Sequence, residues 1–248
     1  MQQFLTNPHS FLNGHSYLDG SFLCFTNETK PMKRVTFYID GFNFYYGLRT
    51  AKQVDRKWYR AYWIDLVKFF SLFLGEEQVM EKVVYFTASP LNKEKSRHQS
   101  ALLNANKMIN GDRFEVVRGK YISKTIQCPR CNYAILRPEE KKTDVNISIR
   151  MLADCVRDTT DVVVIVSGDS DLLPPIEFIQ HNYPHKQVRA FFPPSIFSRD
   201  ISNNIKAHKG KVTMLEKNYN KFLVAQMPHC VTDGNNTYTI PEKWGETS

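Results

Sequence analysis

Two short stretches of the chain place carboxylates where they can do chemistry. One is Asp40-Gly-Phe-Asn43 and the other is Ser167-Gly-Asp-Ser-Asp171. A third acid, Asp144, closes the run Lys141-Lys-Thr-Asp144. Carboxylates gathered at one place repel each other and desolvate poorly, so a cation is expected among them. A set made only of oxygen donors suits Mg²⁺ or Mn²⁺. Such an ion activates a water and neutralises charge on a phosphoryl group in flight. Asp40, Asp144, Asp169 and Asp171 are therefore the candidate metal ligands. Each acid alone also has a plainer reading as a helix N-cap or turn residue; their recurrence carries the metal reading.

The elements that must position these acids can be read around them. Short apolar or β-branched runs at Val35–Ile39, Val83–Thr87, Phe114–Val117, Val162–Val166, Val188–Phe192 and Val212–Leu215 predict strands buried on both faces. Helical spacings lie between them. Val145, Ile149, Leu152 and Val156 recur on one helix face, and Ile64, Val67 and the phenylalanines after them mark another. The alternation predicts an α/β fold with a mostly parallel central sheet. In such a sheet ligands bind outside the carboxyl ends of the strands. Asp40 and Ser167 each follow a predicted strand directly, and Asp144 stands at a helix start that could face the same edge.

A tight pair, Cys128-Pro-Arg-Cys131, has the spacing of half a zinc site. The remaining ligands would come from Cys230 and His229, from His181 and His185, or from a second chain across a homodimer. The alternative is a reduced structural turn or a redox pair. Cys155 reads as a small core residue. Five cysteines in 248 residues do not form a disulfide framework, and no secretory leader is evident, so a cytoplasmic location is expected.

Lysine and arginine total 33 against 25 acids, a net charge of +8. The first 31 residues carry −1 of it and read as an extension outside the fold; residues 32–215 read as the folded unit and 216–248 as a strap packed on it. No apolar run reaches the length of a membrane span. A basic balance fits a polyanionic partner. Lys93, Lys95, Arg97 and His98 are expected in a carboxyl-end loop, and Lys141 and Lys142 beside Asp144, as contacts to the phosphates of such a partner. The aromatic run Phe42, Phe44, Tyr45 and Tyr46 could stack bases or belong to the core.

The blocks Ile39-Asp-Gly-Phe-Asn43, Glu140-Lys-Lys-Thr-Asp-Val145 and Val166-Ser-Gly-Asp-Ser-Asp171 resemble, in order and separation, the NYN domain family of the PIN-like nuclease superfamily. The resemblance covers Met32 to about Leu215. It implies a Rossmann-like α/β/α sandwich and an endoribonuclease dependent on Mg²⁺ or Mn²⁺, leaving a 5′-phosphate and a 3′-hydroxyl. It implies that Asp40, Asp144, Asp169 and Asp171 hold the metal, that Asn43 partners Asp40, and that Ser167 and Ser170 orient ligands or phosphate. Two alternatives stay open: an RNA-binding module without turnover, and a hydroxylase of a pyridine compound, as some bacterial relatives are labelled. Against the second, no Gly-x-Gly-x-x-Gly follows the first strand. A serine hydrolase built on Gly168-Asp-Ser170 would need an Asp-x-x-His, which the chain lacks.

Overall fold

The computed structural model describes residues 31–245. The extension assigned to residues 1–31 falls, except for Pro31, outside the described residues. Six parallel strands form the central sheet: β1 (Lys33–Asp40), β2 (Gln78–Thr87), β3 (Phe114–Arg118), β6 (Val162–Val166), β7 (Gln187–Phe192) and β8 (Val212–Met214). Their spatial order is β3-β2-β1-β6-β7-β8. All six strands expected from the sequence are present. The order runs outward from β1 in one direction and from β6 in the other, so the winding reverses between these two central strands.

The central strands β1 and β6 are largely apolar on both sides because each side meets a helical layer. Val35, Phe37 and Ile39 of β1 and Val162, Val164 and Val166 of β6 point into one core, with side chains of α1 (Gly41–Val54), α2 (Leu66–Ser71) and α3 (Lys93–Asn110). Tyr38, Val163 and Ile165 point into the other, against α4 (Thr143–Val156), α5 (Leu173–Asn182) and α6 (Arg199–Ala207). The period-2 alternation of side chains thus splits one continuous apolar run between two cores. This is an α/β/α sandwich. The last stretch adds α7 (Tyr219–Val224) and a small hairpin of β9 (Cys230–Thr232) and β10 (Thr237–Thr239). Phe222, Ala225, Met227, Val231 and Trp244 from this stretch are members of the first core.

Two features differ from the sequence pattern. Between β3 and α4 the chain makes an antiparallel hairpin, β4 (Lys120–Gln127) and β5 (Ala134–Lys141), which is separate from the main sheet. On α4 the periodic stripe Val145, Ile149 and Val156 faces solvent, each more than half exposed, and only Leu152 is partly buried. The face turned inward carries Ile147, Met151 and Cys155 together with the polar Asp154. Asp154 is tolerated there because Tyr38 Oη donates to it at 2.9 Å and Arg150 Nε at 2.8 Å. The inward face therefore looks less apolar in sequence than the outward one.

Candidate active site at the reversal of the sheet

Neighbouring strands β1 and β6 bring the two acidic loops together. Ile39 pairs with Val166, so Asp40 and Ser167 leave the sheet side by side. Asp40 is the N-cap of α1 and only 3% exposed. Its Oδ1 accepts from the backbone N–H of Phe42 and of Asn43, both at 3.0 Å. Its Oδ2 accepts from Asn43 Nδ2 at 2.6 Å and from Ser167 Oγ at 2.9 Å. Four donors occupy the four lone-pair positions of a carboxylate. Burial pushes the Asp40 pKa up, and these hydrogen bonds oppose the shift.

The network continues into the second loop. Ser167 is fully buried; its Oγ donates to Asp40 and accepts from Asp169 N–H at 3.0 Å. Asn43 Oδ1 accepts from Gly168 N–H at 3.2 Å. Asp169 in turn caps a short 3-10 turn, accepting from Asp171 N–H at 3.0 Å. Glycine is required at 168 because a Cβ there would stand 2.3 Å from Ile196 Cγ2. Ser170 and Asp171 are exposed.

Asp144 comes from the opposite helical layer, in the first turn of α4. Its pKa is raised to about 6, first by partial burial and then by the negative charges of Asp169, Asp40 and Asp171. The helix N-terminus favours a carboxylate, yet burial and repulsion prevail. All four predicted acids thus act electrostatically on one place. Among the described residues no three His, Cys, Asp or Glu side chains are grouped closely enough to cage a metal as they stand. The donor chemistry nevertheless fits a hard divalent cation: Asp144, Asp169 and Asp171 are carboxylates with lone pairs left, and their mutual repulsion is what a cation relieves.

The basic residues are placed differently from expectation. Lys93, Lys95 and Arg97 are exposed, but they begin α3 instead of forming a loop, with Asn92 as its N-cap. Lys142 is exposed, adopts a left-handed conformation (φ 81°) and leads directly into α4. Only the backbone of Lys141 is described, as the last residue of β5. Cys128 and Cys131 lie in the turn of the β4–β5 hairpin, where N–H groups of Arg130 and Cys131 lower the Cys128 thiol pKa. Among the described residues they have no third ligand for a metal. Cys155 is buried in the second core.

A cavity of about 350 Å³ beside the acids was not legible in the sequence. Phe42, Tyr45, Tyr46, Tyr85, Gln99 and Trp244 line much of it. Of the aromatic run, Phe44 is core and Tyr46 exposed, with Phe42 and Tyr45 between. Trp244 stacks on Tyr62 at 5.5 Å between ring centroids, an arrangement no local pattern announces.

The NYN domain family matches residues 34–207, which contain every acid of the site. The chain belongs to the NYN domain family. This NYN domain is 25% identical over 195 residues to 6-hydroxy-3-succinoylpyridine 3-monooxygenase HspA of Pseudomonas putida (strain DSM 28022 / S16). The matched region is 65% of this chain and 59% of that relative's length. It is also similar to a crystal structure of a protein of unknown function from Vibrio parahaemolyticus RIMD 2210633, at 17% identity and a TM-score of 0.49, over 76% of this chain and 96% of that one. No helix among the described residues is long and apolar enough to cross a membrane.

Proposed function

We propose that this NYN domain is a metal-dependent endoribonuclease. The observation that carries the reading is that the two acidic loops leave adjacent strands at the reversal of the sheet, where open α/β sheets bind ligands, with Asp144 close enough to feel their charge. Asp144, Asp169 and Asp171 would hold Mg²⁺ or Mn²⁺, which when bound supplies an activated water and charge neutralisation for phosphodiester hydrolysis. Asp40, whose two oxygens each accept two hydrogen bonds, would with Asn43 fix the loop that presents Asp169 and stand behind the other three acids as a further ligand. Ser167 joins the two loops through a buried hydroxyl. Lys93, Lys95 and Arg97 on α3, and Lys142 before α4, offer cations to the RNA backbone.

The test is cleavage of unstructured and structured RNA in Mg²⁺ or Mn²⁺ by the wild type and by Asp169→Asn. Loss of cleavage in the variant and in EDTA is expected. Equal activity in either comparison would refute the proposal, and salt-sensitive binding with no cleavage would leave an RNA-binding module in its place.

A second reading draws on the aromatic cavity and on the activity in the name of the Pseudomonas relative: hydroxylation of a pyridine compound. A flavin or haem spectrum in the purified protein, lost together with turnover of a hydroxypyridine, would favour it.

A further inference from the structure

The cavity beside the acids has no role in the ribonuclease chemistry proposed above. It lies between the start of α1, the end of β2 at Thr87, the start of α3 and Trp244. Its volume of about 350 Å³ suits one small planar ligand. Its walls are largely aromatic, and the rings of Phe42 and Tyr46 lie nearly parallel, 21° apart in plane. Gly41 and Phe42 in its lining follow Asp40 directly, so the wall of the cavity and the acidic site share one stretch of backbone. Glycine at 41 is what allows this closeness, because a Cβ there would meet the Tyr85 ring at 2.5 Å.

The polar groups of the cavity are few. Gln99 Nε2 donates to Thr87 Oγ1 at 2.8 Å and to the Ala88 carbonyl at 3.4 Å, which orients the amide. Its Oε1 is buried with no hydrogen-bond partner. A buried carbonyl oxygen left unpaired is uncommon in folded proteins, and a ligand N–H is the group that would pair it. Lys95, exposed, also lines the cavity and brings a cation to it.

We propose that this cavity is a base-binding subsite. One unstacked nucleobase of an RNA strand rests on the aromatic wall with an N–H edge toward Gln99 Oε1, while Lys95 meets the adjoining phosphate. Single-stranded RNA is recognised in this way, by stacking of splayed bases on aromatic side chains and hydrogen bonds to their edges. The subsite would hold the strand beside the acids, so the choice of RNA as its source rests on the ribonuclease reading. The recognised chemistry itself is a planar nitrogen heterocycle with an N–H, which a free pyridine compound can also present.

The experiment measures binding by calorimetry, in EDTA, so that cleavage plays no part. The full chain is titrated with AMP, with N6,N6-dimethyl-AMP, with ribose 5-phosphate and with a hydroxypyridine. AMP is expected to bind at least about tenfold more tightly than ribose 5-phosphate, the scale of one base stacked on an aromatic side chain. Dimethylation, which removes the amino N–H, should weaken binding severalfold. Tyr46→Ala, at an exposed wall residue, and Gln99→Leu should each lose most of the preference for AMP while keeping the wild-type melting temperature within a few degrees. Equal binding of AMP and ribose 5-phosphate, or an unchanged preference in both variants, would overturn the proposal. So would tight binding of the hydroxypyridine with none of AMP. If AMP binds as expected but no RNA is cut, the ribonuclease reading fails and the subsite stands. If RNA is cut in an Asp169-dependent way but AMP shows no preference, the reverse holds.

Discussion

Replacing Asp144 by asparagine should stabilise the metal-free protein above pH 6. The carboxyl is raised from 3.8 to about 6 by burial and by the charges of Asp169, Asp40 and Asp171. A shift of about 2 units corresponds to about 3 kcal/mol at full value. Asp144 is exposed, so solvent screening reduces the usable figure to about 1 kcal/mol. The folded state binds the proton more tightly than the unfolded chain. Below about pH 4 the group is protonated in both states and the penalty is absent; it develops as pH rises and is complete above about pH 6. Asparagine removes the charge while keeping the shape. Thermal melts in EDTA from pH 4 to pH 8 should show the variant gaining about 2–4 °C at pH 7.5, the scale of 1 kcal/mol in a domain of this size. The gain should fade below pH 4.5. Added Mg²⁺ should raise the wild-type melting temperature and narrow the gap. A variant that is equal or less stable than wild type at pH 7.5 in EDTA would refute the claim that these acids repel across one site.

Four further outcomes follow from the same geometry. Ser167→Ala leaves buried Asp40 without one donor and Asp169 N–H without its acceptor, and should cost about 1–3 kcal/mol in urea unfolding. Gly168→Ala drives a Cβ toward Ile196 and should cost about 1–3 kcal/mol while also displacing Asp169, so stability and RNA cleavage should fall together. Arg34 holds Asp161 near a pKa of about 2, so its stabilisation is present above pH 4 and is lost as pH falls toward 2. Asp161→Asn should therefore flatten the acid limb of a stability profile. Cys131→Ser, at an exposed hairpin turn, should change the melting temperature by less than about 2 °C. Sedimentation with added Zn²⁺ would then show whether any metal-linked dimer of the wild type is lost in that variant.

The main sheet was legible because its strands are buried on both faces and so read as unbroken runs such as Val162-Val-Val-Ile-Val166. The acidic loops were legible for a related reason: each follows such a run directly. The β4–β5 hairpin was not, because a ribbon outside the sheet carries no continuous apolar signal, and Pro138 within it argues against a strand. The start of α3 reads as loop in the sequence although Asn92 caps it, since Lys93-Glu-Lys-Ser-Arg97 offers no apolar period. On α4 two faces compete, and the more apolar one in sequence is the one left outside. The cavity depends on Trp244 meeting Tyr62 and His98 across the fold, contacts between residues far apart in the chain.

The pairing of Ile39 with Val166 has a dynamic consequence. Asp40 and Ser167 leave the two central strands, so their hydrogen bond should open only with the sheet as a whole, and the Asn43 and Asp169 amides tied into it should exchange with solvent nearly as slowly as the core. Asp144 is carried by a helix end reached through exposed Lys142, and the lysines of α3 are carried by another. Both helices are tied to strands, α4 by the hydrogen bond of Tyr38 to Asp154 and α3 by that of Gln99 to Thr87, so only their first turns are less firmly held. One part of the site is held by the strands themselves and the other by the first turns of two docked helices, so changes in those turns can alter how a substrate is gripped while the strand-borne part keeps its geometry.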